Sequence, residues 1–355
     1  MIHIFHHNDA DGYASAAVII RESQKYIDEG GEIKTYSCEH STPMDLSQIN
    51  VHEDKVYIVD YSFTNPIDVK NVIKLAEKYD STVGYFDQIV WIDHHASSQK
   101  LINEDQWLRE IAKVGIVRPE NVFAGCMLTW LYFHPPSGDI TLAKLRTPDE
   151  LRYYIHAECP IWIQYVDDHD KWAHKIEDST NFVTGVTCTN GGLYNNFLSP
   201  DGSYATYHSK NAPGITKKFV KKGRVIEEYR KEDNASYIRN NAFVTTIVCD
   251  GIALKVMAAN RRGNSMLFGE YFDKVDAVIV FTYNGDVWQY SIFSHASKPF
   301  PVEKVAEMYK EKYGITGGGH THAAGWAAPV CIFNGDDSVS TEKIPFKKWV
   351  KTIEE

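Results

Sequence analysis

The sequence has no apolar run near the roughly 18 to 20 residues that cross a bilayer, which argues against a helical membrane span. Its first residues, MIHIFHHNDADG, lack a basic segment ahead of a long apolar one, so no secretory signal is expected there. No CxxC pair occurs: Cys38, Cys126, Cys159, Cys188, Cys249 and Cys331 are scattered, against a zinc ribbon or a redox motif. That usage fits a reducing compartment, and the expected location is cytoplasmic. Basic residues are in deficit, with a formal net charge of -10, against a protein that coats long nucleic acid nonspecifically. A short anionic substrate stays compatible, because bound divalent cations reverse the local sign. Repeats and low-complexity tracts are absent. What is present is an ordinary globular composition, 43% hydrophobic and 24% charged, in 355 residues, a length suited to two domains.

The first third alternates short apolar runs with helical patterns. IHIF halts at His6, His7 and Asp9 and is expected to be a buried strand. GYASAAVIIRESQKYIDEG follows as a helix ending at Gly30-Gly31. KVYIVDYS is a second strand ending at Asp60, and NPIDVKNVIKLAEKYD a helix with Asn65 as N-cap and Pro66 in its first turn. QIVWIDHH is a third strand ending at Asp93. Strands alternating with helices predict a parallel sheet covered on both faces. Residues 104–172 are mainly helical in pattern; TPDELRYYIHAECPIWIQYVDDHDKW starts at a Thr147-Pro148 cap and ends in Asp167-Asp168-His169-Asp170. Residues 179–214 lack periodicity and are expected to be loops, and the next charged stretch, to residue 241, a connecting helix. Short strands then return, with VDAVIVFTYNGDVWQYSIFS a hairpin turning at Asn284-Gly285. The helix PVEKVAEMYKEKYG leads into GGGHTHAAGW. The expected division is 1–190, a catalytic domain; 191–240, linker loops and a connecting helix; and 241–355, a smaller α/β domain.

In parallel sheets ligands sit beyond the carboxyl ends of the strands. Three strands here end in acid or histidine: His7 with Asp9 and Asp11, Asp60, and Asp93-His94-His95. Each group alone has a bland reading, as a helix cap, a turn or a solvated charge run. Together they suit a binuclear site, in which two divalent ions about 3.5 to 4 Å apart share carboxylates and a bridging hydroxide that attacks phosphorus. A mixed Asp/His set without cysteine suits Mn²⁺, with Mg²⁺, Co²⁺ or Zn²⁺ as substitutes.

These motifs resemble those of the DHH phosphoesterase superfamily. The naming triplet is Asp93-His94-His95, and His7-Asn8-Asp9-Ala10-Asp11-Gly12 resembles the first motif. Asp60 in YIVDYS resembles the second, and Asp168, four residues before Trp172 in YVDDHDKW, the fourth. Gly317 to Trp326 resembles the signature of the DHH-associated C-terminal domain, so the likeness runs in order from residue 3 to about 330. It implies an α/β fold: an N-terminal parallel-sheet domain with flanking helices, a smaller C-terminal α/β domain, and an active site in the cleft between them. It implies that His7, Asp9 and Asp60 hold one Mn²⁺, that Asp11, Asp60, His94 and Asp168 hold the other, and that Asp60 bridges. Asp93 would orient a histidine, and His95 would face the substrate phosphoryl group, making Asp93, His94 and His95 the catalytic triplet. Gly317, Gly318 and Gly319 would cradle a phosphate with their amides, and His320 would touch it.

Several positions depart or stay open. His6 competes with His7, and Asp167 and Asp170 compete with Asp168. Relatives carry arginine in a strand reading roughly S-L-R-S where this chain has SIFS, with Phe293 in that place. Arg261 or Arg262 would then bind phosphate instead, unless they are a solvated hairpin end. Within the family, the length and acidity of the chain disfavour the processive exonucleases, and the lack of spans disfavours the membrane-bound cyclic dinucleotide enzymes. The resemblance therefore implies an enzyme of the nanoRNase or oligoribonuclease type. It would hydrolyse short single-stranded oligonucleotides 3′ to 5′ to nucleoside monophosphates. The alternatives are a phosphodiesterase of linear or cyclic dinucleotides and a 3′-phosphatase on nucleotides. A homo-oligomer is left open, and no membrane partner is expected.

Overall fold

The structure is a computed structural model describing residues 1–39, 42–63, 65–83, 88–112, 123–135, 155–189, 191–198, 213–295 and 297–354. The chain divides into two compact units, Met1–Glu227 and Glu228–Glu355.

The first unit is built on a parallel sheet of β1 (Ile2–His7), β2 (Ile33–Cys38), β3 (Lys55–Val59) and β4 (Ile89–Ile92), in the order β2-β1-β3-β4. Successive side chains alternate between two cores. Ile4, Tyr57, Val59, Val90 and Ile92 pack with the helices Ala10–Glu22, Gly125–Phe133 and Ile161–Asp170. Phe5, Val56, Ile58, Ile89 and Trp91 pack on the other face, with the helices Pro66–Val83 and Gln106–Ile111. Burial on both faces is why β3 and β4 read as near-continuous apolar runs. Asn65 caps the Pro66–Val83 helix as expected, its Oδ1 accepting from the Ile67 amide at 2.9 Å.

The structure corrects three expectations. The first helix stops at Glu22 and a short second one, Gln24–Asp28, follows Ser23, instead of one helix running to Gly30. β2 is a strand that lies within no predicted element. Residues 179–214 are not all loop: Ser179–Thr187 and Leu193–Phe197 are helices, while 199–212 lie outside the described residues. The Thr147-Pro148 cap also lies outside them. No described helix is long and apolar enough to cross a membrane, and none of the six cysteines is in a disulfide.

The second unit holds a seven-stranded mixed sheet ordered β11-β5-β6-β7-β8-β10-β9. Its strands are β5 (Phe243–Cys249), β6 (Ile252–Ala259), β7 (Ala277–Tyr283), β8 (Trp288–Phe293), β9 (Gly317–His320), β10 (Ala323–Ala328) and β11 (Ile344–Pro345). β7 and β8 form the expected hairpin; Asn284 Oδ1 accepts from the amides of Asp286 and Val287 across the turn. The helix Glu303–Tyr313 packs on one face, with Val305, Ala306 and Tyr309 buried.

Beside that helix, the buried Asp336 carboxylate accepts from Lys312 Nζ at 3.0 Å, the Ser338 amide at 2.9 Å and the Tyr313 hydroxyl. Burial opposes its charge, yet the hydrogen bonds from Ser338, Tyr313 and Lys312 hold its pKa at about 2. A depressed carboxylate pKa adds stability that is complete above the unfolded value near 4 and is lost as pH falls towards 2. Hydrogen exchange of the Glu303–Tyr313 amides should therefore accelerate between pH 5 and 2, beyond the intrinsic pH effect, by an opening energy of about 2 kcal/mol. An Asp336→Asn variant should not show that pH-linked change; equal loss in both proteins would rule the network out.

Candidate metal centre

Strand order puts the ends of β1, β3 and β4 side by side, so the polar residues after them share one sheet edge. After β1 the chain turns at Asn8, and Asp9 caps the Ala10–Glu22 helix, its carboxylate accepting from the Gly12 amide at 2.9 Å. The helix starts so close to the strand that a β-carbon on Gly12 would lie 2.2 Å from the His7 carbonyl oxygen. Asp11, in the first turn, is buried, and its two oxygens accept from the amides of Gly125 at 2.6 Å and Cys126 at 2.7 Å. These are free amides at the N-terminus of the Gly125–Phe133 helix, which favours an anion there. Asp60 follows β3 and ties it to β4, donating its amide to the Ile92 carbonyl at 2.8 Å. Its φ of 50° lies in the left-handed region, a strained conformation for a residue with a β-carbon.

The side chains converge. His7 Nδ1 lies 2.7 Å from Asp9 Oδ2. His94 Nε2 lies 3.3 Å from Asp60 Oδ1, 3.6 Å from Asp170 Oδ2 and 3.8 Å from Asp11 Oδ2. Two groups of ligand atoms result, His7 with Asp9 and Asp60, and Asp11 with His94 and Asp170; a third joins Asp60 to the Asp93-His94-His95 triplet. Both Asp60 oxygens are buried and accept no hydrogen bond. Burial and the neighbouring carboxylates of Asp11, Asp9 and Asp170 raise its pKa well above the carboxylate range. Asp170 is raised in the same way, by burial and by Asp11 and Asp9. Burial lowers the pKa of His94, leaving the ring neutral with a lone pair free to ligate. Buried oxygens without donors, clustered acids and a neutral imidazole form a donor set that fits divalent cations. Gly125 leaves the room: a β-carbon there would lie 2.7 Å from Asp60 Cβ and 3.0 Å from Asp11 Oδ2.

Asp93 and His95 also pair with each other. Asp93 is fully buried and accepts from His95 Nδ1 at 2.7 Å and from the Ser98 hydroxyl. Burial opposes a charge on His95, but Asp93 overcomes it and raises the imidazole to about 9. His95 is thus a cation at neutral pH, held through one nitrogen, with part of the ring exposed.

The remaining expected residues lie as follows. His6 is buried edge-on to Tyr13 with Nδ1 at 2.9 Å from the His7 carbonyl; it is outside the cluster, and burial lowers its pKa to about 4. The acidic run divides three ways. Asp167 accepts from the Ala124 amide and from Lys171 Nζ, each at 2.7 Å. Asp168 accepts from the amides of Lys175 (2.9 Å) and Ile176 (3.2 Å) and from Ser179 Oγ (2.6 Å), and stands apart from the ligand groups. Asp170, and not Asp168, groups with Asp11 and His94. Gly317–His320 forms β9, an edge strand paired with β10. Gly318 and Gly319 have φ of 153° and 152°, backbone open to glycine. The His320 side chain lies outside the described residues. Arg261 pairs with Asp233 and lies over the Tyr237 ring at 4.9 Å from its centroid, while Arg262 is exposed. Gly125 and Ser98 were missed; the only hint of Gly125 is a small residue directly before an apolar helix.

No family model and no curated protein matches the chain. Solved structures resemble it, among them the following three. One is a DHH-domain protein described as a member of the s1p family of ribosomal proteins, 15% identical, with 92% of this chain and 82% of that one covered and a TM-score of 0.49. The second is RecJ from Thermus thermophilus in complex with Mn²⁺, 14% identical, with 92% of this chain and 49% of that one covered and a TM-score of 0.47. The third is PggH from Vibrio cholerae, a pGpG-specific phosphodiesterase, 13% identical, with 93% and 94% covered and a TM-score of 0.42.

Proposed function

We propose that this chain is a DHH-superfamily phosphoesterase that hydrolyses short oligonucleotides to nucleoside monophosphates with two bound divalent cations, Mn²⁺ foremost. The observation that carries the reading is Asp60: a buried carboxylate that accepts no hydrogen bond, grouped with His7 and Asp9 and 3.3 Å from Nε2 of His94, which groups with Asp11 and Asp170. His7, Asp9 and Asp60 would hold one ion, and Asp11, Asp60, His94 and Asp170 the other. Bound ions would supply Lewis-acid polarisation of the phosphoryl group and an activated water. The chain's own part is then positional and electrostatic. The Gly125–Phe133 helix fixes Asp11 through two amides, and the β3–β4 link fixes Asp60. The His95 cation, set by Asp93, would neutralise charge on the phosphoryl oxygens or give a proton to the leaving oxygen. Ser98 holds the second oxygen of Asp93 and so keeps that imidazole oriented.

The test is product analysis with Mn²⁺ and a 5′-labelled RNA series from about two to twenty-four nucleotides, alongside linear and cyclic dinucleotides. Rapid conversion of the shortest chains to mononucleotides, with long chains slow, supports the reading. Preferred loss of cyclic dinucleotides would replace it with the dinucleotide reading, and inert RNA would direct the search to nucleotide phosphatases. EDTA should abolish turnover, and readdition of Mn²⁺ should restore it and raise the melting temperature. At about 100 times the dissociation constant, the ion contributes roughly 2.7 kcal/mol. Full turnover in EDTA would exclude the metal centre.

A further inference from the structure

Five described non-glycine residues have left-handed φ, and three of them fall within seven positions directly after the metal cluster. They are Trp172 at 52°, His174 at 47° and Asp178 at 72°. This region is penalised for any residue with a β-carbon and is an outlier for a side chain as bulky as indole, so the surrounding structure must impose it. The restraints are on both sides. Before the segment, the amides of Trp172 and Ala173 donate to the carbonyls of His169 and Asp168, each at 3.0 Å. Within it, Asp168 collects the amides of Lys175 and Ile176 and the Ser179 hydroxyl. At its end, Asp178 pairs with Arg224 at 2.9 and 3.1 Å and with Asn181 at 2.7 Å.

This rigid segment presents an aromatic face. Trp172 is 50% exposed although it lies two residues from Asp170. Its indole is backed by the His169 ring, 6.1 Å between centroids and 27° between planes, and buttressed edge-on by His174 at 5.1 Å. The exposed indole offers an apolar, polarisable face two residues beyond Asp170. The chemistry that fits is a planar, polarisable ring carried on a phosphodiester. Phosphate contacts at a metal centre would hold any phosphodiester alike and carry no preference for one that bears a base. Stacking supplies affinity without charge and without base selectivity.

We propose that Trp172 is the platform on which a base of the substrate stacks next to the metal centre. The proposal rests on the phosphoesterase reading above and adds a substrate-binding residue that selects base-bearing esters over other phosphodiesters.

The experiment measures, on the full chain with Mn²⁺, calorimetric binding of GMP and of ribose 5-phosphate, and kcat and KM for a diribonucleotide, in wild type, Trp172→Ala and Trp172→Phe. Trp172→Ala should weaken GMP binding and raise KM by about ten- to a hundredfold, with the loss in KM and not in kcat. Trp172→Phe should retain most of the affinity, and ribose 5-phosphate should bind all three proteins alike. Wild-type KM in Trp172→Ala, with the dinucleotide still cleaved, overturns the platform and leaves the phosphoesterase reading standing. Equal loss of ribose 5-phosphate also overturns it, since the indole would then act through loop structure. Trp172-dependent GMP binding by a protein that cleaves nothing upholds the platform and overturns the phosphoesterase reading. Absence of both binding and cleavage overturns the two together.

Discussion

Replacing Asp60 with asparagine should cost at least a hundredfold in turnover and, at the same time, raise the melting temperature of the metal-free protein. The two effects share one cause. Asp60 groups with His7 and Asp9 and lies 3.3 Å from His94 of the other group, with both oxygens buried and accepting no hydrogen bond. Residues that only support ligands are worth about 10- to 100-fold, so a residue that ligates in one group and reaches the other should exceed that range. Without cations the same carboxylate is a liability: burial and the charges of Asp11, Asp9 and Asp170 raise its pKa well above the usual value. A group that binds a proton in the folded state and releases it in the unfolded chain loses stability as pH rises above the unfolded pKa near 4. Asparagine removes that pH-dependent cost while keeping the shape. At pH 7 the metal-free variant should melt several degrees higher, at roughly 2 to 4 °C per kcal/mol for a domain of this size. Thermal denaturation in EDTA and in Mn²⁺ reads both effects, because the variant should also lose most of the shift that Mn²⁺ gives the wild type. A variant that keeps wild-type turnover, or whose metal-free form melts several degrees lower, would remove Asp60 from the centre.

The cluster of acids and histidines was legible in the sequence wherever a strand delivered its residue. β1, β3 and β4 are buried on both faces, so they stand out as apolar runs whose polar ends can be seen. β2 was not legible, because it is an edge strand with only Cys38 buried, and IKTYSC shows no clean pattern. The Ser179–Thr187 helix hid for another reason. STNFVTGVT is poor in strong helix formers, and packing overrides that propensity: Phe182, Val183 and Val186 enter the core. Its approach to the Pro213–Asn241 helix also depends on bare glycines. A β-carbon on Gly185 would lie 2.0 Å from the Phe219 carbonyl oxygen, and one on Gly223 1.7 Å from that of Asn181. The choice among Asp167, Asp168 and Asp170 was beyond sequence reasoning, since all three lie on one helix near its C-terminal end and point different ways around it. Only the positions of Ala124, Ser179 and His94 tell them apart.

Asp168 and Asp170 should accordingly fail in opposite ways. Asp170→Asn removes an oxygen 3.6 Å from His94 Nε2 and should cost at least about a hundredfold in turnover. It should leave the metal-free melting temperature equal or higher, because burial and the neighbouring acids Asp11 and Asp9 disfavour the charge of that carboxyl, which asparagine does not carry. Asp168→Ala leaves the amides of Lys175 and Ile176 and the Ser179 hydroxyl without their acceptor. Hydrogen bonds to a charged group contribute roughly 1.5 to 3 kcal/mol each, and water will replace some of them, so a loss of about 3 kcal/mol is expected. That corresponds to a melting temperature about 10 °C lower. Well below that temperature, the folded variant should still bind Mn²⁺ with wild-type stoichiometry and keep turnover within about tenfold, since its defect lies in the restraint on residues 171–179 and not in a ligand. Metal content and melting curves on the two variants decide between them. If Asp168→Ala loses the metal while Asp170→Asn keeps it, the ligand is Asp168 as its spacing to Trp172 first suggested, and the helix must turn its other face to the cations.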